Sequence, residues 1–157
     1  MIRVLQPTDH EAVIALMAAL PEWFTPEAVE HFRIDLRYHR GFVAVDEGDF
    51  SEIATRNIVG FVTYFVYDGV GILSWISVAR DQHHQGWGTQ LLNAAEQALR
   101  AEGIPVMQVF TLGDSVDYEP YESTRAFYSR HGFKEYRRIK TDNPDCPEEL
   151  YLRKLIA

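Results

Sequence analysis

Leu73 to Leu92, LSWISVARDQHHQGWGTQLL, is the stretch on which the reading of the fold turns. Leu73, Trp75, Ile76 and Val78 carry strand preference through bulk and β-branching. Arg80 to Gln85 is a polar break. Gly86-Trp87-Gly88-Thr89 then opens a helix, because apolar residues follow at 91, 92, 95, 98 and 99 with the 3.6-residue period. Strand, glycine loop and helix start together make an anion site. The first turn of a helix has unpaired N–H groups and a partial positive charge, and glycines there let a phosphate approach the backbone. A unit of this kind suits a pyrophosphate.

Two familiar phosphate motifs do not fit the spacing. A P-loop needs a Lys-Ser/Thr pair after its last glycine, and Gly88 is followed by Thr89-Gln90. A dinucleotide fingerprint needs a third glycine where Leu91 stands, and an acidic residue closing a second strand. The run His83-His84-Gln85-Gly86-Trp87-Gly88, five residues after Val78, instead resembles the cofactor loop of the GNAT N-acetyltransferase superfamily, Gln/Arg-x-x-Gly-x-Gly/Ala after a strand ending in Val. His83 replaces the usual Gln or Arg, and Arg80 the frequent proline. The resemblance implies that the backbone of His83, His84, Gln85, Gly86, Trp87, Gly88 and Thr89 holds the pyrophosphate of acetyl-CoA.

The 157 residues suit one domain, 1–157, with a full core. Apolar content of 46% and charged content of 24% are ordinary for a soluble globular protein. No apolar run reaches membrane-spanning length, and residues 1–20 do not read as a signal peptide. The lone Cys146 has no partner for an internal disulfide, which makes a cytoplasmic location the default. A net charge of −8 argues against a general nucleic-acid binder.

Working outward, Arg3 to Leu5 reads as a short strand. Thr8-Asp9-His10-Glu11 reads as a capping box before a helix with Val13, Leu16, Met17 and Leu20 on one face. Thr25-Pro26-Glu27 starts a second helix that buries Val29, Phe32 and Leu36. Gly41 to Asp46 and Ile58 to Tyr67 read as strands, Glu47-Gly48-Asp49 as a turn, and Asp68-Gly69 as a hairpin leading into a strand at 71–79. Glu102-Gly103 ends the long helix, and 106–112 is the next strand, so 71–112 forms a parallel βαβ unit. Ser123 to His131 is a short helix, and strands at 133–140 and 150–156 close the chain.

Phe127-Tyr128-Ser129-Arg130-His131-Gly132-Phe133 resembles a second GNAT signature, an aromatic followed by Tyr, three residues and Gly-Phe. Tyr121 stands where the family often has Asn, and Thr124 where it often has Ala. The expected fold is therefore α+β: a mixed, mostly antiparallel sheet of six to seven strands with about four helices and a parallel, splayed pair at its centre. The resemblance implies that the pantetheine arm lies in that splay, bonded like an extra strand to the backbone around Ile76, Ser77 and Val78. It also implies acetyl-CoA as cosubstrate and a primary amine, small-molecule or peptide, as acceptor.

Tyr128 is the expected general acid, since a phenol is protonated at neutral pH and can donate to the departing thiolate. No carboxylate stands on the central strand, which leaves Glu22, Asp117, Glu119 and Glu122 as loop candidates for a base. Glu22, Trp23, Phe24 and Glu119 are the expected acceptor-pocket residues. His83-His84 lack a third ligand, so no metal is expected. Trp23 and Tyr151 are candidates for a homodimer contact. Two other readings stay open: a non-catalytic acyl-CoA sensor or interaction module on this fold, and a nucleotide-binding α/β protein unrelated to CoA.

Overall fold

The β3–β4 hairpin frames the molecule. In the computed structural model, which describes residues 1–48 and 57–157, β3 spans Ile58–Tyr67 and β4 spans Val70–Val78. Asp68 and Gly69 join them with φ of 49° and 75°, the two-residue turn that matches strand twist. Around the hairpin lie β1 (Ile2–Val4), β2 (Arg40–Val45), β5 (Val106–Leu112), β6 (Lys134–Lys140) and β7 (Glu148–Leu155). The described helices are α1 (His10–Ala18), α2 (Pro26–Asp35), α3 (Trp87–Ala101) and α4 (Pro120–Arg130). Strand order is β1-β2-β3-β4-β5-β7-β6, and every pairing is antiparallel except β4 with β5. This is the α+β architecture expected, with seven strands and four helices among the described residues.

A helical layer covers each face of the sheet. On one face, Leu91, Leu92, Ala95 and Leu99 of α3 and Tyr128 of α4 pack with Val62, Tyr64, Leu73, Met107 and Val109. On the other, Val13, Ile14 and Met17 of α1 and Phe32 of α2 pack with Val43, Val45 and Phe61. Helical period in the helices and alternation in β3 thus meet in two cores that share one sheet.

The parallel join is short. β4 and β5 pair only from Val70↔Val106 to Ile72↔Gln108. Two residues later β4 has a bulge: Leu73 faces Tyr64 and Trp75 faces Thr63, so Ser74 is an extra residue. A bulge bends its strand and sharpens its twist. Beyond it β4 runs to Val78 and β5 to Leu112 without pairing to one another. The centre of the sheet is therefore open at the end where α3 begins.

Three local expectations are corrected. The capping box at Thr8 does not form; Pro7–Asp9 is a 3-10 turn, and the Asp9 carboxylate accepts the Gln6 N–H at 2.8 Å. α4 starts at Pro120 rather than Ser123, because proline's fixed φ suits the first helical position. Strand β2 stops at Val45, and the expected turn at Glu47-Gly48-Asp49 lies partly outside the described residues, at Asp49.

Candidate active site

The glycine loop connects the open strand end to α3. His84 and Gly86 both have positive φ, 62° and 85°. Gly86 is the N-cap residue; a side chain there would be strained. Among the described residues no side chain caps this terminus, and the first intrahelical bond is Gln90 N–H to Gly86 O at 3.1 Å. The amides of Trp87, Gly88 and Thr89 are thus left for a ligand. The Trp87 indole donates to Gln82 Oε1 at 3.3 Å, and the Gln85 amide donates to Asp81 O at 3.4 Å, so both side chains brace the loop.

The His83 ring turns inward: Nε2 donates to Val78 O at 2.7 Å and so ties the loop to the end of β4. The Thr89 hydroxyl is also engaged. His131 Nδ1 donates to Phe127 O at 2.7 Å, so in the neutral ring Nε2 accepts from Thr89 Oγ1 at 3.0 Å. That leaves the Thr89 backbone N–H, not its hydroxyl, available to a ligand.

Ladder geometry decides which strand groups face the gap. Ala79 N–H donates to Val59 O at 2.7 Å, and Gly60 is opposite Val78. Hydrogen-bonded pairs alternate in an antiparallel ladder, so Ser77 is bonded to Phe61, while Ile76 and Val78 turn their main-chain groups away from β3. Ile76 N–H, Ile76 C=O and Val78 N–H face the opening. Ser77 is the correction: its backbone belongs to the β3 ladder, and its side chain is buried.

α4 supplies the other wall. Tyr128 is 3% exposed, and burial, together with nearby Tyr121, raises its hydroxyl pKa. Gly132, at φ 86°, allows a helix stop in which Phe133 N–H bonds to Tyr128 O and Gly132 N–H to Ser129 O, both at 3.1 Å. The rings of Tyr128 and Phe133 meet at 5.5 Å. The spacing of the second signature is thus that of a helix-terminating motif, which fixes the height of Tyr128. Gly88 lies against the Phe127 ring, so α3 and α4 approach closely beside the loop.

Tyr121 does what the sequence did not reveal. Its hydroxyl, pushed up to about 12 by burial, donates to Trp23 O at 2.6 Å. The Trp23 indole donates to Pro120 O at 2.9 Å, and the Tyr118 hydroxyl donates to Glu22 O at 2.8 Å. These bonds clasp the α1–α2 connection to the start of α4. Trp23 also meets the His83 ring edge-on at 5.9 Å, so the connection reaches the glycine loop as well. Trp23 and Tyr151 are half-buried rather than exposed.

Of the other acceptor-pocket candidates, Phe24 packs on Trp75 with ring centroids 6.2 Å apart. The Glu22 carboxylate pairs with Arg80 at 2.7 Å, which lowers its pKa and makes it a weak proton acceptor. Glu119 is the exposed N-cap residue of α4 and joins none of these contacts. Among the described residues no group of three or more His, Cys, Asp or Glu is placed to hold a metal, and no helix is long and apolar enough to cross a membrane.

Comparison with known proteins points the same way. Over its whole length the chain superposes on a candidate GNAT-family acetyltransferase from Desulfovibrio desulfuricans, at 24% identity, 100% coverage of both chains and a TM-score of 0.78. It also matches the ribosomal-protein-S18-alanine N-acetyltransferase of Escherichia coli, at 18% identity, 100% and 95% coverage and a TM-score of 0.75. An aminoglycoside 6′-N-acetyltransferase complexed with coenzyme A matches at 17% identity, 100% and 97% coverage and a TM-score of 0.74. At these identities the likeness is one of fold. No curated protein sequence matches. The model of the acetyltransferase (GNAT) domain, however, matches residues 37–135, more than half of the chain and all of the glycine loop, and the chain belongs to the GNAT acetyltransferase family.

Proposed function

We propose that this chain, acting as a single domain over 1–157 in the cytoplasm, transfers an acetyl group from acetyl-CoA directly to a primary amine. The observation that carries the reading is a continuous ligand track. The uncapped amides of Trp87, Gly88 and Thr89 lead to the unpaired edge at Ile76 and Val78. The first part suits a pyrophosphate and the second a pantetheine arm with amides of its own. His84, Gln85 and Gly86 shape the first part, and His83 joins the two.

In this reading the amine attacks the thioester carbonyl, a C–N bond forms, and the C–S bond breaks. Tyr128 gives its proton to the departing sulfur, the attacking nitrogen loses one, and a proton returned through solvent restores the phenol before the next turnover. Burial keeps that phenol protonated across the neutral range, and a thiolate forming beside it is the base that takes the proton. Glu22, Trp23, Phe24 and Glu119 border the acceptor side. The structural neighbours include enzymes whose names specify a ribosomal-protein alanine and an aminoglycoside, so both a peptide amine and a small-molecule amine fit this fold.

The test is Tyr128→Phe. Acetyl-CoA should stabilise wild type and variant equally in thermal unfolding, while thiol release in the presence of amines falls about 10²-fold or more in the variant. Equal turnover removes Tyr128 from the chemistry. Acetyl-CoA binding with no turnover in wild type, across a broad amine panel, marks a non-catalytic acyl-CoA module. Stabilisation by ATP or NAD but not by acetyl-CoA rejects the cofactor assignment.

A further inference from the structure

An amine that attacks a thioester must shed a proton, and the central strand carries no carboxylate to receive it. At the bulge in β4 the structure places another acceptor. Ser74 Oγ lies 2.9 Å from His39 Nδ1 and 2.8 Å from Thr63 Oγ1. Thr63 is fully buried, and among the described residues its hydroxyl has Ser74 as hydrogen-bond partner. With His39 in its Nε2–H tautomer, the buried Thr63 O–H donates to Ser74 Oγ and Ser74 O–H donates to His39 Nδ1.

Position and environment fit a proton relay. Ser74 is two residues past the last β4–β5 pair, where the sheet opens, and it is half-buried rather than sealed. It is next in sequence to Trp75, which packs on Phe24, and its hydroxyl meets Thr63 of β3 and His39, the residue that follows α2 by four positions. His39 stacks on Phe65 at 4.6 Å and is also half-buried. Asp35 of α2 is the charged group that acts on the ring; its carboxylate already accepts from Trp75 Nε1 at 2.8 Å. Thr63 and Phe65 of β3 and Ser74 of β4 bring no charge to it. Burial lowers the imidazole pKa, which keeps the ring neutral and ready to accept.

We infer that Ser74 and His39 together receive the proton of the attacking amine. As the C–N bond forms, the N–H proton passes to Ser74 Oγ while the Ser74 hydroxyl proton passes to His39 Nδ1. The imidazolium then releases a proton to water. Sulfur leaves with the electron pair of the broken C–S bond and takes its own proton from Tyr128. The inference rests on the acetyl transfer proposed above; it adds the base.

His39→Gln tests it, because an amide oxygen still accepts from Ser74 but does not take up a proton. The assay is thiol release from acetyl-CoA over pH 5–9, with 2-phenylethylamine as probe acceptor and with water alone. Expressed per neutral amine, so that the titration of the acceptor itself is removed, wild-type kcat/KM falls on the acid side as the imidazole becomes protonated. His39→Gln should lose about 10²-fold in turnover near neutrality, lose that acid limb, and keep the wild-type KM for acetyl-CoA. Ser74→Ala should lose a similar factor, and the double variant no more than either single. An unchanged acid limb in His39→Gln overturns the inference, as does a loss of turnover that travels with acetyl-CoA binding or thermal stability. Failure of wild type to bind acetyl-CoA overturns the parent reading instead.

Discussion

Asp9 is a carboxylate 1% exposed and held from two sides. Arg3 donates to its two oxygens at 2.7 and 2.9 Å, and the Gln6 N–H donates at 2.8 Å. The Arg3 guanidinium, against the opposing effect of burial, holds its pKa below the ordinary value. The sign of the linkage follows. The folded pKa lies below the unfolded value of about 3.9, so the stabilisation is complete above that value and is lost as pH falls through the folded one. Asp9→Asn should therefore cost about 2 kcal/mol in urea unfolding at pH 7 and progressively less as the solution is acidified below pH 4. A cost independent of pH would contradict this account. Such residues mark the limit of what a sequence discloses. The loop and helix start at Gly86 to Thr89 were legible because glycine and helix period are local signals. The roles of Asp9, Tyr121, His39 and Ser74 were not, because each depends on a partner brought near by the fold. Ser74 in particular carries no charge to draw notice, and its place beside His39 and Thr63 follows from a bulge that strand pattern does not reveal.

At the scale of elements, β4 makes two kinds of promise along one edge. Ser77 N–H is committed to β3, whereas Ile76 and Val78 N–H face the opening. Amide hydrogen exchange should separate them: Ser77 slow with or without coenzyme A, Ile76 and Val78 fast in the free protein and slowed when coenzyme A is bound. Exchange at Ile76 and Val78 that ignores the ligand would move the pantetheine arm elsewhere. The order and type of elements were readable from period, turns and caps. The hairpin at Asp68-Gly69 and the stop at Glu102-Gly103 formed where expected, the latter with Ile104 N–H bonded to Leu99 O at 3.0 Å. The start of α4 was misplaced because GDSVDYEPYE is polar and acidic. Its proline reads equally well as a loop residue or as a first helical residue, and Tyr121 packing against the α1–α2 connection decides for the helix.

For the molecule as a whole, the two cores are backed by the same strands. Phe61 points into one, and its neighbour Val62 into the other. A sheet shared in this way couples the layers, so chemical unfolding should be a single cooperative transition. Tryptophan fluorescence is a fair reporter, since Trp75 lies against one core and Trp87 against the other. Its midpoint should coincide with that of far-ultraviolet circular dichroism, and two separated midpoints would break the single-domain assignment. The clasp between the α1–α2 connection and α4 is different in kind. Its three hydrogen bonds link residues 96 to 98 positions apart and rest on main-chain carbonyls of Glu22, Trp23 and Pro120 rather than on either core. The glycine loop proposed to hold the diphosphate, by contrast, is closed within a few neighbouring residues. Mild heating or a weakening substitution should therefore blur the choice of acceptor while coenzyme A is still held firmly, so selectivity in this enzyme would fade before affinity for its donor does.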